Sequence, residues 1–132
     1  MTELVFDQKI DLPYVYTAGP VQRAALSGLK ERRLVASEGA GYVAVPAAPF
    51  APDGGHLRET HELAAEGVVE SVTTAHHRPG APVYARIRID GASHAMLHRL
   101  SAPVAVGDRV TAVWRDDRTG AVTDIEHFTA VS

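Results

Sequence analysis

The chain has 132 residues, 45% of them hydrophobic, a formal net charge of −3 and no cysteine. That length supports one well-buried core, since domains of this size bury roughly two-thirds of their unfolded surface. The missing cysteines exclude disulfides, and the mild negative charge excludes a broad basic field for unspecific attraction to a nucleic-acid backbone.

Residues 1–17 read as an extended arm in which Phe6, Ile10, Leu12, Tyr14 and Tyr16 are spread around Pro13. Alternation through Leu12, Tyr14 and Tyr16 puts three large side chains on one side. Two placements stay open for it: a strand lying on its own domain, or a segment docked on another protein. The opening run MTELVFDQKIDLP has neither the basic leader nor the apolar core of a signal peptide, and no apolar stretch reaches the ~20 residues of a membrane helix. A cytoplasmic protein without membrane association is expected.

A helix is predicted over residues 20–33. Pro20 suits the first turn, Val21, Ala25, Gly28 and Leu29 share a face, and the cations among Lys30, Glu31, Arg32 and Arg33 favour the negative helix end. Arm and helix together make a first section, residues 1–35.

The second section, residues 36–57, contains two glycine-rich turns, Ser37-Glu38-Gly39-Ala40-Gly41 and Ala51-Pro52-Asp53-Gly54-Gly55. Each has the shape of a CxxCG zinc knuckle. A zinc ribbon needs four thiolates in two such pairs, yet the four slots hold Ser37, Ala40, Ala51 and Gly54, none of which ligates zinc. The segment therefore reads as a zinc-ribbon remnant without metal. A structural zinc contributes on the order of 10 kcal/mol to small zinc domains, so other forces must hold this one. Tyr42, Val43, Val45 and Phe50 are its apolar anchors, with burial under a partner or packing on the neighbouring domain as the two solutions.

The third section, residues 58–132, is β-rich. A β-branched run at 67–75 leads through the loop His76-His77-Arg78-Pro79-Gly80-Ala81-Pro82 into 83–90, where Val83, Ala85, Ile87 and Ile89 alternate with Tyr84, Arg86, Arg88 and Asp90. Further strands are predicted at 93–100, 109–115 and 121–131, the last two joined by a hairpin turn at 116–120. Five short strands in this order favour a mainly β architecture, an OB-fold barrel.

These blocks resemble a known family. Gly67-Val68-Val69-Glu70-Ser71, Arg78-Pro79-Gly80-Ala81-Pro82, Ile87-Arg88-Ile89-Asp90-Gly91, Leu97-His98-Arg99-Leu100, Val106-Gly107-Asp108-Arg109-Val110, Val113-Trp114-Arg115-Asp116 and Asp124-Ile125-Glu126-His127-Phe128 are similar, in order, to the OB-fold half of a domain-of-unknown-function family. Its members carry an N-terminal helix and a rubredoxin-like zinc ribbon and accompany thiolase-superfamily enzymes. Upstream, Tyr14 to Gly19, Leu29 to Leu34 and Gly41 to Pro46 resemble the approach to that ribbon and its interior. The resemblance implies a non-catalytic subunit that helps form an acyl-CoA channel beside a thiolase-fold partner, in a heteromer expected to be a heterotetramer. The branch without ribbon cysteines resembles the partner of aldolases that cleave CoA-linked steroid side chains. It implies a CoA thioester as substrate of the complex, with no tightly bound cofactor and no zinc.

The residues themselves offer little autonomous chemistry. His94 and His98, four apart on a strand, stand roughly 13 Å from each other, too far to share an ion. His76 and His77 point to opposite faces, and His61 lacks the second histidine of a helical zinc-protease motif. Ser71 and Ser93 lie outside any GxSxG elbow, and Asp116-Asp117 reads as a solvated turn. The loop at 76–82 is the better candidate. His76, His77, Arg78, Arg86 and Arg88, with Arg99 extending the positive character, are candidates for binding CoA phosphate or an acidic partner. Solvated cations that keep a sheet edge from aggregating are the alternative reading. Candidates for the partner interface are Phe6, Tyr14, Tyr16, Leu29, Tyr42 and Phe50. Of the competing functions, a single-stranded nucleic-acid binder needs stacking aromatics beside basic residues, which 6% aromatic content and net negative charge disfavour. A free-standing CoA-thioester enzyme lacks an identifiable nucleophile.

Overall fold

Pro20, with no N–H to leave unpaired, opens helix α1 (Pro20–Lys30), whose Ala25, Gly28 and Leu29 turn inward. The structure is a computed structural model and describes residues 19–131; the expectations for Phe6, Tyr14 and Tyr16 lie outside them. Helix α1 stops three residues short of the predicted end. The N–H of Arg33 donates to the Gly28 carbonyl at 2.7 Å and that of Arg32 to the Leu29 carbonyl at 3.1 Å, while Arg32 takes φ 64°. This is a Schellman ending, built with arginine where glycine is usual, so composition did not announce it. Arg118 adds a donor from the far side, its Nε 2.7 Å from the Lys30 carbonyl.

The chain then forms two sheets. Strands β1 (Leu34–Gly39), β2 (Tyr42–Ala44) and β3 (Glu59–Leu63) make a three-stranded antiparallel sheet in the order β2-β1-β3. Strands β4 (Glu66–Thr74), β5 (Val83–Ile89), β6 (Met96–Leu100), β7 (Arg109–Trp114) and β8 (Ile125–Ala130) close a barrel in the order β4-β5-β6-β8-β7. The mainly β, five-stranded barrel architecture expected from the sequence is thus present. Alternation sets the barrel interior: Val83, Ala85, Ile87 and Ile89 of β5 face inward with Val69, Met96, Leu100, Val110, Ile125 and Phe128. A bulge between Val69 and Ser71 bends β4 so that it pairs with β5 along its length and with β7 at its start.

Two local differences from the sequence reading have clear causes. The remnant's sheet runs to Leu63, past the expected boundary at 57, because Glu59 to Leu63 align with Glu38 to Leu34 as a third strand. The polar face of β3 is exposed, which hides its strand character from a periodicity argument. Between β7 and β8 there is no tight hairpin. The loop wraps around the buried carboxylate of Asp124, which accepts from the N–H groups of Thr119 at 2.9 Å, Gly120 at 2.7 Å and Ala121 at 3.1 Å. A 3-10 turn (Val122–Asp124) follows, and the strand starts only at Ile125.

The remnant packs on the barrel. Leu29, Leu34, Ala36 and Val45 belong to the same buried cluster as the barrel interior. Gly28 lets α1 approach β1 closely, since a Cβ there would run into the Val35 side chain. Ser93 fastens β2 to the turn after β5: its Oγ accepts from the Val43 N–H at 2.8 Å and its own N–H donates to the Val43 carbonyl at 2.9 Å.

Asp124 sets the testable consequence. Burial raises its pKa, but the three backbone donors lower it more, and the net value falls below the usual carboxylate range. The unfolded state therefore binds the proton more readily, so the carboxylate's stabilisation is full above the ordinary aspartate range and is lost as pH falls through the depressed folded value. Asp124→Ala should lower unfolding free energy by about 2–4 kcal/mol in urea titrations at neutral pH, with the gap to the parent protein narrowing in acid.

Candidate functional site

The two glycine-rich turns face each other as in a ribbon. Gly39 comes so close to the His56 carbonyl that any Cβ would collide with it. Between them lies a groove of about 400 Å³ whose walls include Ala40, Tyr42, Ala51, Pro52 and His56. Of the four degenerate slots, Ala40 and Gly54 are exposed and take φ 51° and 91°, and Ala51 is partly covered. Ser37 is fully buried. Its Oγ donates to the Ala48 carbonyl at 2.7 Å and accepts from the Ala48 N–H at 2.9 Å, so the first slot ties the remnant's own loop together.

The partner-interface candidates divide. Leu29 is buried in the main cluster at 1% exposure, which removes it as a surface residue: it lies on the core face of α1. Tyr42 is half-buried, its ring stacked parallel to His94 with centroids 6.0 Å apart. Phe50 is 52% exposed at the remnant's tip, leaning on His56. His94 is structural. Its Nε2 accepts from the Val45 N–H at 3.3 Å and its Nδ1 faces the Ala95 carbonyl at 3.1 Å, consistent with one neutral tautomer.

The CoA-binding candidates occupy one barrel face without forming a single cluster. His76, His77 and Arg78 are exposed on the β4–β5 loop, beyond the Thr74–Val83 pair. Arg86 and Arg88 point outward from β5. Arg88 is engaged by Glu70 in an ion pair, which leaves it less cationic toward a ligand. Register places Arg86 opposite Leu97 and Tyr84 opposite Arg99, so Arg86 and Arg99 are diagonal neighbours on the outer surface.

Beside that diagonal is a feature the sequence did not reveal. β6 and β8 are joined by one parallel pair, Leu100 with Phe128, and toward the start of β6 they part. The gap forms an apolar groove of about 300 Å³, lined by Tyr84, Leu97, His98, Val122, Ile125 and Glu126. Leu97 is 67% exposed and Val122 40%. The available signal was a leucine at an outward position of an alternating strand. His98 spans the floor: Nε2–H donates to the Val122 carbonyl at 3.2 Å, Nδ1 accepts from the Arg99 N–H at 2.8 Å, and its ring meets Phe128 edge-on. With both nitrogens committed to backbone, this imidazole bridges the gap in the barrel and is not free to act as a base.

Burial lowers the His98 pKa most strongly, with the nearby charges of His127 and Arg115 acting in the same direction against its two backbone hydrogen bonds. The folded state holds the neutral ring, so its contribution is complete above the ordinary histidine value of 6.5 and is lost as pH falls below it. Thermal unfolding of the parent should weaken below that pH more steeply than that of His98→Gln, which does not titrate. A separate test concerns Ser37: Ser37→Ala leaves the Ala48 N–H and carbonyl unpaired and should cost about 1–3 kcal/mol in chemical denaturation.

No protein-family model and no curated protein matches the sequence. Solved structures do. A protein of unknown function from the DUF35 family of Sulfolobus solfataricus matches with TM-score 0.65 and 19% identity over 89% of this chain and 86% of that one. A chain of the Ltp2-ChsH2(DUF35) aldolase matches with TM-score 0.61 and 22% identity over 85% of this chain and 95% of that one. Helix, remnant sheet and five-stranded barrel together are thus the fold of DUF35 proteins.

Proposed function

We propose that this chain is a non-catalytic accessory subunit of a heteromeric enzyme acting on acyl-CoA thioesters. Its partner in this reading is a thiolase-fold protein, the assembly a heterotetramer, and the reaction a retro-aldol cleavage in steroid side-chain breakdown. The observation that carries the proposal is the match to 95% of a chain of an aldolase that contains a DUF35 protein. The surface chemistry supports the same reading. Phe50 and Leu97 offer apolar contacts of the kind a subunit interface buries. Arg86 and Arg99, with His76, His77 and Arg78 on the adjoining loop, are donors suited to the phosphates of CoA. The working role is to support the partner and contribute one wall of its CoA channel.

Co-expression with a thiolase-fold protein should give a stable heteromer with CoA-thioester-dependent carbon–carbon cleavage, and neither chain alone should turn over. Efficient turnover by this chain alone would reject the proposal. In the active heteromer, replacing Arg86 and Arg99 by alanine should raise KM for the CoA thioester roughly 10-fold per lost phosphate pair, with kcat nearly unchanged.

A further inference from the structure

Along the outer face of α1, cations line a surface groove that has no acid in its walls among the described residues. The groove measures about 780 Å³ and runs between α1 and the loop before β8, with Arg23, Ala24, Leu26 and Lys30 on one side and Thr119 and Gly120 on the other. Arg23, Leu26, Ser27 and Lys30 are exposed, and their spacing of i, i+3, i+4 and i+7 makes them one stripe along the helix. Arg32, Arg33, Arg88 and Arg109 are paired with carboxylates, whereas Arg23, Lys30 and Arg118 have no such pair among the described residues. Arg118 donates from Nε to the Lys30 carbonyl at 2.7 Å and from Nη1 to the Arg115 carbonyl at 2.6 Å, and these bonds leave its charge uncancelled at the end of the stripe. Asp116 and Asp117 precede it in the chain but do not line the groove, and Asp116 faces Arg32.

Both walls of the groove are fixed by the fold. Gly28 seats α1 against Val35, and Gly120 comes so near the helix that a Cβ on it would stand 3.3 Å from the Leu26 carbonyl. The Asp124 carboxylate holds the N–H groups of Thr119 and Gly120 from behind. An incoming ligand is therefore spared the cost of ordering these walls. Arg23 and Lys30 stand two helical turns apart, about 10 Å at ~1.5 Å of rise per residue, with the small Ala24 and Ser27 and the apolar Leu26 between them. A single inorganic anion fills neither that span nor its apolar middle. A nucleic-acid strand needs aromatic platforms, and no aromatic residue lines the groove. A second helix matches it: small residues at the centre permit close approach, and the cations at either end call for acids at the same spacing.

We propose that this groove receives an acidic amphipathic helix of a partner protein, with carboxylates two turns apart against Arg23 and Lys30 and an apolar side chain between them against Leu26 and Ala24. The outer face of α1 then serves as a docking surface, while its inner face belongs to the core. The inference does not require the partner to be a thiolase-fold protein.

The test titrates the full-length, isotopically enriched chain with a synthetic peptide of about 18 residues, long enough to hold a helix alone, that carries two glutamates seven positions apart around leucine and alanine on one face. The amide signals of residues 20–30 and 119–120 shift saturably and those of 76–88 do not. Replacing Arg23 and Lys30 together by glutamate weakens binding roughly 10-fold or more, and a peptide with lysines in place of its glutamates binds that variant more tightly than it binds the parent chain. Leu26→Asp weakens binding of the original peptide as well. The amide spectrum reports whether each variant is folded. Absence of saturable shifts, shifts centred outside the groove, or affinity untouched by the double replacement overturns the proposal. Shifts of the same amides with protein concentration alone place a second copy there and overturn it too, as does a response confined to phosphatidylglycerol vesicles or to a single-stranded oligonucleotide. Failure here leaves the accessory-subunit reading to its own co-expression test, because the peptide contains no thiolase fold.

Discussion

Continuity of one buried cluster across both sheets is the constraint on which the molecule depends. Leu29 of α1, Leu34 and Ala36 of β1 and Val45 after β2 pack into the same interior as Ile87, Val110 and Phe128 of the barrel. A ribbon with four thiolates can hold itself together around its ion; this remnant draws its stability from sharing the barrel's core. Fully burying a residue such as Leu34, Val45 or Leu57 contributes about 1.5–3 kcal/mol each, so several acting together reach the order of 10 kcal/mol that a structural zinc supplies in small zinc domains. The Ser37 clamp, the Ser93 ladder and the His94 acceptor then fix the register of loops whose placement the core alone leaves loose.

The barrel was legible because period-two alternation is a strong signal wherever one face is buried, and β5 displays it without interruption from Val83 to Ile89. The knuckle turns were legible from their glycines, which the close approach at Gly39 requires. What was not legible depended on side chains reaching across sequence. Arg32 in a left-handed conformation gives no compositional hint of a helix end. A lone aspartate in TDIEH does not announce that three upstream amides converge on it. β3 has an exposed polar face, and its strand character comes from pairing with β1.

The candidate site was legible only in part. Arg86 was correctly set on the outward face, but the salt link between Arg88 and Glu70 spans eighteen positions and could not be read from either strand alone. Leu29 looked like a small apolar helix face suited to a partner, whereas the tertiary structure uses that face for its own core. The groove arises where two strands diverge, a property of barrel closure that no local pattern encodes.

Closing a loop with the Ser37 hydroxyl, held between a backbone carbonyl and a backbone amide, has a consequence for chemical durability. At Ser37 there is no sulfur for peroxide to oxidise. This turn is therefore closed by a group that needs no reducing environment to keep its hydrogen bonds.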